Sequence, residues 1–361
     1  MSINFSENQW DKIKRDYTLW WKRELERPLV PVVLKGLDPG IAKPSTPLLS
    51  QATCHDLSVP AKDIIERIDY ELSQNLYLGD AFPYFNMDCF GPGIAAAFLG
   101  ADLNNATGNV WFHPKEIKPL NEIYFEYNPD NVWLIRIKEI CYEGMKRWQG
   151  QVQMGMPDLS GMLDILSVFA QGDKLLLALY DEPGEVKRLV WEIQKFWFRF
   201  YDEINEVLQP INPGYSDWSQ IYSPTPSYVL QCDFAYMISA EMFEEFALPE
   251  IKSSCKKLSH TLYHLDGIGN LPNLDSILKI KELDAVQWVP GEGQPPQSKW
   301  PEVYRKIAAA GKNIQIREGF DLLEAVSNQI GTLKGIHQKP LWGTVNQKND
   351  MLGRLAKIGV I

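Results

Sequence analysis

The chain has 361 residues, of which 45% are hydrophobic and 23% charged, and its formal net charge is −10. This composition is that of a folded globular protein, and the length allows a large hydrophobic core. The negative charge argues against nucleic acid or anionic lipid as a partner, because both are bound through clustered Lys and Arg.

No apolar run approaches the length that spans a bilayer, so we expect no membrane association. The N-terminus is polar and charged and lacks the apolar segment of a signal peptide. Without an export signal, the five cysteines are expected to be reduced, and because no two of them form a C-x-x-C pair, no structural zinc knuckle is expected. These features predict a cytoplasmic protein.

Short apolar runs alternate with longer helical patterns along the chain, as in repeated βα units. The sequence therefore predicts an α/β protein that folds as a (β/α)8 TIM barrel, with residues 1–361 forming one domain. An irregular insert spans 101–128, where NVWFHP and IYFEYN suggest a hairpin. The predicted strands are Leu29–Leu34, Ala81–Asp88, Gly150–Asp158, Thr225–Asp233, His260–Gly267, Leu283–Gly291, Lys312–Gly319 and Thr332–Gln338.

Helical patterns fill most of the intervals between these strands, and Ser239 is the predicted cap of one of them. A doubly wound open sheet is the rival architecture. If such a sheet bound a dinucleotide, a Gly-rich fingerprint would follow its first strand, and Gly91-Pro92-Gly93 does not match one. The chain also lacks a P-loop, a G-x-S-x-G elbow and an H-E-x-x-H helix.

Polar residues recur at alternate positions where the predicted strands end. Side chains at i and i+2 of a strand share a face, and in a barrel the carboxyl ends of the strands meet at one mouth. We therefore expect an active site there. The residues concerned are Tyr84, Asn86, Asp88, Asp158, Gln231, Asp233, His264, Asp266, Gln287, Glu292, Gln315 and Arg317.

The segment Tyr263–Gly267 brings an imidazole and a carboxylate to one face of a strand. His264 and Asp266 are suited to bind a divalent metal or to act as a general acid/base pair. A hydrogen-bonded pair at the start of a loop is the structural alternative. His337, on the last predicted strand, is a further candidate ligand. Cys89 beside Asp88 is better explained as a small buried hydrophobe than as a nucleophile.

Several segments together resemble the uroporphyrinogen decarboxylase superfamily. SAEMFEEFALPEIKSSCKKL followed by TLYHLDGIGNLPNL is similar to the family's helix and to its strand ending in H-x-C-G or H-x-D-G. PDLSGMLDILSVFAQGDKLLLALYDEPGEVKRLV, YVLQCDFAYMIS and LDAVQWVPGEG resemble neighbouring family segments. The resemblance is strongest over Gly150–Gly291, and it implies a (β/α)8 barrel.

Two activities follow from that resemblance: cofactor-free decarboxylation of uroporphyrinogen, and methyl transfer between a corrinoid protein and a thiol or similar acceptor. The decarboxylases have an Arg-rich R-Q-A-G-R segment near the N-terminus, whereas this chain has only Arg23 and Arg27 in that region. The thiol methyltransferases bind zinc through H-x-C and a distant Cys. Here Asp266 replaces the first Cys, and no Cys follows Cys255.

The leading hypothesis is a metal-assisted methyltransferase that uses methylcobalamin or a corrinoid protein and a small acceptor. Its metal, zinc or another divalent ion, would be bound by His264 with Asp266, Glu292 and His337 as the other candidates. Asp266, Asp88 and Asp233 are the candidate catalytic residues. The candidate substrate-binding residues are Tyr84, Asn86, Asp158, Gln231, Gln287, Trp288 and Arg317, and Trp111 could add an aromatic wall.

Two alternatives remain open at this point. One is a lyase that acts on a carboxylated substrate, with Asp88 or Asp233 stabilising a developing cation. The other is a non-catalytic barrel that binds a ligand. A homodimer is common in the family, and the chain lacks the D-x-H-x-x-G motif of corrinoid carriers.

Overall fold

The computed structural model describes residues 3–171, 173–209 and 211–361. Strands and helices alternate through most of this length. The strands are β1 (Pro31–Lys35), β2 (Asn75–Gly79), β3 (Tyr84–Phe85), β4 (Asp102–Asn104), β5 (Trp111–His113), β6 (Gln153–Met154), β7 (Ser227–Gln231), β8 (His260–Asp266), β9 (Ala285–Val289), β10 (Asn313–Ile316), β11 (Ile336–Gln338) and β12 (Leu341–Thr344).

The helices of the described residues pack around these strands. They are α1 (Glu7–Trp21), α2 (Ala61–Ser73), α3 (Ala95–Phe98), α4 (Val132–Trp148), α5 (Met162–Phe169), α6 (Asp173–Asp181), α7 (Pro183–Leu208), α8 (Ala240–Phe246), α9 (Leu248–Lys257), α10 (Leu274–Leu278), α11 (Pro301–Ala309), α12 (Phe320–Ile330) and α13 (Lys348–Lys357).

The centre of the molecule is a parallel sheet with the strand order β11-β10-β9-β8-β7. Every residue of β7 and β10 is buried, as expected where helices cover a parallel sheet. The chain is thus an α/β protein with a parallel sheet. Three smaller sheets have the orders β12-β1-β2, β3-β6 and β4-β5.

Short backbone contacts connect some of these sheets. Leu29 forms a parallel bridge with His337 of β11, which joins the start of β1 to the central sheet. The N–H of Asp80 donates to the carbonyl of Val30 at 3.3 Å, and β3 pairs with β6 in parallel. The hydrogen-bonded strands therefore continue beyond the central sheet on its β11 side.

A buried ion-pair network fixes α1 beside the starts of these strands. Asp80 is completely buried, and its two carboxylate oxygens accept from Arg27 at 2.8 and 2.9 Å. Arg27 also donates to Asp16 of α1 at 2.6 Å, and Lys12 donates to Asp80 at 2.7 Å. Because burial is compensated by several charge-assisted hydrogen bonds, this network joins α1 firmly to the sheet.

The spacing of apolar residues explains which face of each outer helix is buried, and residues such as proline and asparagine mark where a helix begins. In α7, Pro183 occupies the first turn, and the buried residues recur three and four positions apart, as on one face of a helix. In α4 the Asn131 side chain caps the N-terminus by accepting from the N–H groups of Trp133 and Leu134.

The structure differs from the sequence prediction in the insert and at several strand ends. Trp111–His113 does form a hairpin, but its partner is Asp102–Asn104 rather than IYFEYN. Instead, a hydrogen bond from the Phe125 N–H to Glu192 ties the IYFEYN segment to α7. The predicted strand 81–88 shrinks to β3, because residues from Asp88 to Phe90 turn into a 3₁₀ helix.

No described helix is long and apolar enough to cross a membrane. All five cysteines are unpaired; Cys89 is half-buried and the other four are buried.

Candidate functional site

A belt of polar side chains crosses the central sheet at one level. Strand register pairs Gln231 with His264, His264 with Gln287, Gln287 with Gln315, and Gln315 with His337. Because neighbours in register on parallel strands point to the same side, the five side chains share one face. We call these five residues the polar belt.

The hydrogen bonds along the belt have only one consistent order of donors and acceptors. Gln315 Nε2 lies 2.8 Å from the carbonyl oxygen of Ser219, which can only accept, so the amide orientation of Gln315 is fixed. Its Oε1 then accepts from Gln287 Nε2. Gln287 Oε1 is left to face His264 Nδ1 at 2.6 Å. His264 therefore carries a proton on Nδ1, which leaves Nε2 as the nitrogen that can offer a lone pair to a metal ion.

His337 is the belt residue on β11, the edge strand of the central sheet. It is completely buried, and burial lowers its pKa to about 3, so the ring is neutral. Its Nδ1 accepts from Gln315 at 3.1 Å, and its Nε2 lies 3.5 Å from the Tyr17 hydroxyl. The structure does not bring this predicted metal ligand to His264: the two histidines lie at one level of the sheet, but β9 and β10 stand between their strands.

Three potential ligands meet at the ends of β7 and β8. One donor atom each from Asp233, His264 and Asp266 lies within 4.8 Å of the other two. His264 Nε2 is 3.8 Å from Asp266 Oδ2, and the His264 side chain is only 10% exposed. We call these three residues the carboxylate–imidazole triad. Its two oxygens and one nitrogen form a donor set that suits a divalent metal ion.

The surroundings shift the pKa values of the two triad carboxylates in opposite directions. The proximity of the His264 ring, aided by the positive charge of Arg317, lowers the pKa of Asp266 despite partial desolvation. Desolvation and the nearby carboxylate of Asp164 raise the pKa of Asp233 to about 7. A bound cation would relieve the repulsion among these carboxylates.

An open cavity of about 330 Å³ lies in front of the triad. Asp233, Asp266 and Glu292 contribute carboxylates to its wall, and Tyr236 contributes an aromatic ring. Glu292 thus faces the same cavity without joining the triad. Gly267 adopts φ +78°, and a Cβ there would lie 2.7 Å from the Tyr236 ring, so only glycine fits at this turn.

Two further predicted residues, Asp88 and Asp158, follow the short strands β3 and β6. Asp158 accepts from the Ser160 N–H at 2.8 Å and from Gln231 Nε2 at 3.4 Å. Burial raises the pKa of Asp158 to about 7 and that of Asp88 to about 6. One oxygen of Asp88 is buried without a hydrogen-bond partner in the described residues. These two carboxylates are therefore placed to hold a proton near neutral pH.

Tyr84, Asn86 and Trp288 make contacts within the protein that stabilise the fold. The Tyr84 hydroxyl donates to the carbonyl of Asp217, and the Asn86 side chain accepts from the Asp88 N–H at 3.3 Å. Trp288 is completely buried against Trp300, with ring centroids 5.3 Å apart. Since Gln287 points into the belt, its neighbour Trp288 points to the other face of β9 and does not reach the cavity.

Trp111 lies on the hairpin and is 62% exposed, so it forms no wall of the cavity in front of the triad.

Sequence reasoning missed three residues of this region. Asp164, in the first turn of α5, accepts from the N–H groups of Asp233 and Phe234 at 3.1 and 2.7 Å and so positions Asp233. The Trp218 ring stands edge-on to His264, with centroids 5.0 Å apart. The Lys339 ammonium lies 5.1 Å from the same Trp218 ring. Lys339 directly follows β11, and that strand-end position was the available signal.

Comparison with known proteins identifies the fold but not a family. No family model matches the chain, and no curated protein matches it significantly in sequence. A solved structure of a methyltransferase from Methanosarcina mazei superimposes with a TM-score of 0.60, over 96% of this chain and 98% of that chain. The two sequences are 12% identical, so the likeness shows a common fold.

Proposed function

We propose that this protein is a metal-assisted methyltransferase of the uroporphyrinogen decarboxylase superfamily, which moves a methyl group between a corrinoid and a small acceptor. The carboxylate–imidazole triad, at the strand ends of a fold shared with a methyltransferase, is the observation that carries the proposal. The corrinoid is free or carried by a partner protein, and the proposed assembly is a homodimer.

A single closed (β/α)8 barrel is part of this proposal. The Leu29–His337 bridge, the Val30–Asp80 hydrogen bond and the β3–β6 pair support continuity on one side of the central sheet. On the other side, the N–H of Met156 donates to the carbonyl of Ser216 at 2.8 Å, which supports a link from β6 toward β7.

The triad fits a metal because the polar belt leaves His264 Nε2 with its lone pair toward two carboxylates. Asp233, His264 and Asp266 would hold the ion, and Glu292 is near enough in the cavity wall to take part through the acceptor or a water. When bound, a divalent ion such as zinc would lower the pKa of the acceptor and make it a nucleophile near neutral pH.

The rim of the cavity fits the approach of a large flat partner. Tyr236, Met237 and Ile268 are exposed apolar side chains beside the cavity, and they offer a surface for a corrinoid at the mouth. When bound, the corrinoid would supply or accept the methyl group. Asp88 and Asp158, whose pKa values of about 6 and about 7 favour exchange near neutrality, would accept the proton of the acceptor.

The lyase alternative has less support from the geometry. Arg27 is committed to Asp16 and Asp80, and Arg23 donates to the carbonyl of Lys312. Arg27 is therefore not free to bind the carboxylates of a tetrapyrrole, and Arg23 contacts the residue just before the start of β10, at the end of the strand away from the triad. The unpartnered oxygen of Asp88 is the feature that would serve a decarboxylase.

Metal content of the purified protein tests the proposal directly. We expect about one zinc per chain in the wild type after zinc add-back, and less than about a tenth of that in His264→Ala, because the triad loses its only nitrogen ligand. His113→Ala, on the exposed hairpin, is the matched control and should retain the metal. The measurement is elemental mass spectrometry, followed by methylcobalamin demethylation with thiol and amine acceptors.

A wild type that binds no zinc or other divalent ion would contradict the metal site. Metal binding without methyl transfer to any acceptor would leave the site intact and overturn the proposed reaction.

A further inference from the structure

An open groove of about 650 Å³ lies between the two helices α12 and α13. α12 packs against α11 and α13 packs against β2, so neither helix fills the space beside the other. The lining of the groove includes the half-buried apolar side chains Phe320, Leu333 and Ile358, together with charged side chains of both helices. We call this space the α12–α13 groove. It shares no residue with the cavity in front of the triad.

Gly353 lines this groove from the middle of α13, where a glycine is unfavourable. Glycine inside a helix costs stability relative to alanine, because it loses more backbone freedom on folding. Among the described residues, a Cβ on Gly353 would meet no heavy atom within 4 Å, so the chain's own packing does not require a glycine there. Gly144 of α4 is different, since a Cβ there would collide with Met154. A bare position of this kind allows a second helix to approach α13 closely.

The charges on the same face of α13 change sign along the helix. Asp350 lies in the first turn and Lys357 in the last turn, and Gly353 lies near their midpoint. If a second α13 crosses antiparallel at Gly353, each Asp350 meets Lys357 of the partner subunit. Arg354 is turned toward its own chain, with Nε 3.2 Å from Asp350 and the guanidinium carbon 5.5 Å from the Phe320 ring. This face is therefore complementary to a second copy of itself, related by a two-fold axis.

We propose that this protein forms a two-fold symmetric dimer in which α13 of each copy lies antiparallel in the α12–α13 groove of the other. The acidic residues of the α12 wall, Asp321 and Glu324, also favour the basic last turn of the incoming helix. For its stoichiometry the inference rests on the homodimer of the proposed function, and it does not depend on the proposed reaction.

The lengths of the two helices set the strength of the interface. α12 has 11 residues and α13 has 10 residues, so each helix is about 15 Å long. Two helices of this length bury an area at the lower end of the range for stable interfaces. We therefore expect a dissociation constant of roughly 1–100 µM.

Sedimentation velocity at protein concentrations from roughly 0.1 to 300 µM tests the dimer. Asp350→Lys and Lys357→Asp should each weaken self-association at least about tenfold, because each creates two pairs of like charges across the axis. An equimolar mixture of the two variants should recover most of the wild-type association, because the mixed dimer restores both attractive pairs. Recovery in the mixture also shows that both variants are folded.

A Gly353→Leu variant tests the close approach of the two helices. The larger side chain should weaken association at least about tenfold, whereas the melting temperature of the monomer should not fall, since leucine favours a helix. Gly184→Leu, at an exposed glycine of α7 with open space around it, is the matched control and should leave association unchanged. Lys252→Asp, at an exposed position of α9, is the control for charge reversal and should also associate like the wild type.

A wild type that stays monomeric throughout this range would refute the inference together with the proposed homodimer. A dimer that survives Gly353→Leu, or charge variants that do not associate when mixed, would refute the α13 interface alone. Zinc binding and methyl transfer by the same variants test the proposed reaction independently of the interface.

Discussion

A Gln287→Leu variant is expected to bind zinc at least about tenfold more weakly than the wild type and to lose roughly 2–4 kcal/mol of unfolding free energy. The change removes the acceptor for His264 Nδ1 and the donor to Gln315 Oε1 in a completely buried position. Without that acceptor, the proton of His264 is no longer held on Nδ1, and Nε2 no longer presents its lone pair reliably. Competition titration with a zinc chelator and urea unfolding measure the two effects.

Two further variants separate orientation from stability. Gln194→Leu is the matched control, because it removes another buried glutamine that donates to Glu250 and Ser254 on α9. It should cost stability but leave zinc affinity unchanged. Gln287→Glu keeps an acceptor for His264 and should recover most of the zinc affinity. If Gln287→Leu bound zinc like the wild type, the belt would have no role in orienting His264.

An Asp158→Asn variant is expected to gain stability relative to the wild type as the pH rises, by on the order of 4 kcal/mol between pH 4 and pH 8. The pKa of Asp158 is raised from the ordinary 3.8 to about 7 in the folded protein. Between these two values the folded state keeps a proton that the unfolded state releases. The wild type therefore loses unfolding free energy as the pH rises through this range, whereas the neutral amide does not.

Urea unfolding at several pH values measures this difference. Asn retains an oxygen for the Ser160 N–H and for Gln231, so the local hydrogen bonds need not be lost. Asp130→Asn, at an exposed position before α4, is the control and should follow the wild type at every pH. A difference between wild type and Asp158→Asn that does not change with pH would show that Asp158 is ionised normally in the folded state.

The alternation of residues along single strands was readable from the sequence. It placed Gln231 with Asp233 and His264 with Asp266 on one face each, and strand register brings these pairs together. The order of the strands in space was not readable, because it depends on hydrogen bonds between distant segments. For that reason His337 was a candidate ligand together with His264, although β9 and β10 stand between their strands.

Contacts made by residues outside the strands could not be predicted from the sequence either. Trp218 and Asp164 come from segments outside the strands, and only the folded chain brings them to His264 and Asp233. The direction of the amides in the belt depends on one carbonyl, that of Ser219, for which no sequence motif exists. The strand-end pattern could therefore suggest where a site lies, but not how its imidazole is oriented.

The unpaired cysteines have a consequence for chemical labelling. Burial raises the pKa of Cys54 to about 11 and that of Cys255 to about 12, and it also raises the pKa values of Cys89, Cys141 and Cys232. Since the thiolate is the reactive form, alkylating reagents and disulfides should attack these residues slowly in the native state. A cysteine introduced at the rim would then be a selective attachment point for a spectroscopic probe, with no need to remove the native thiols first.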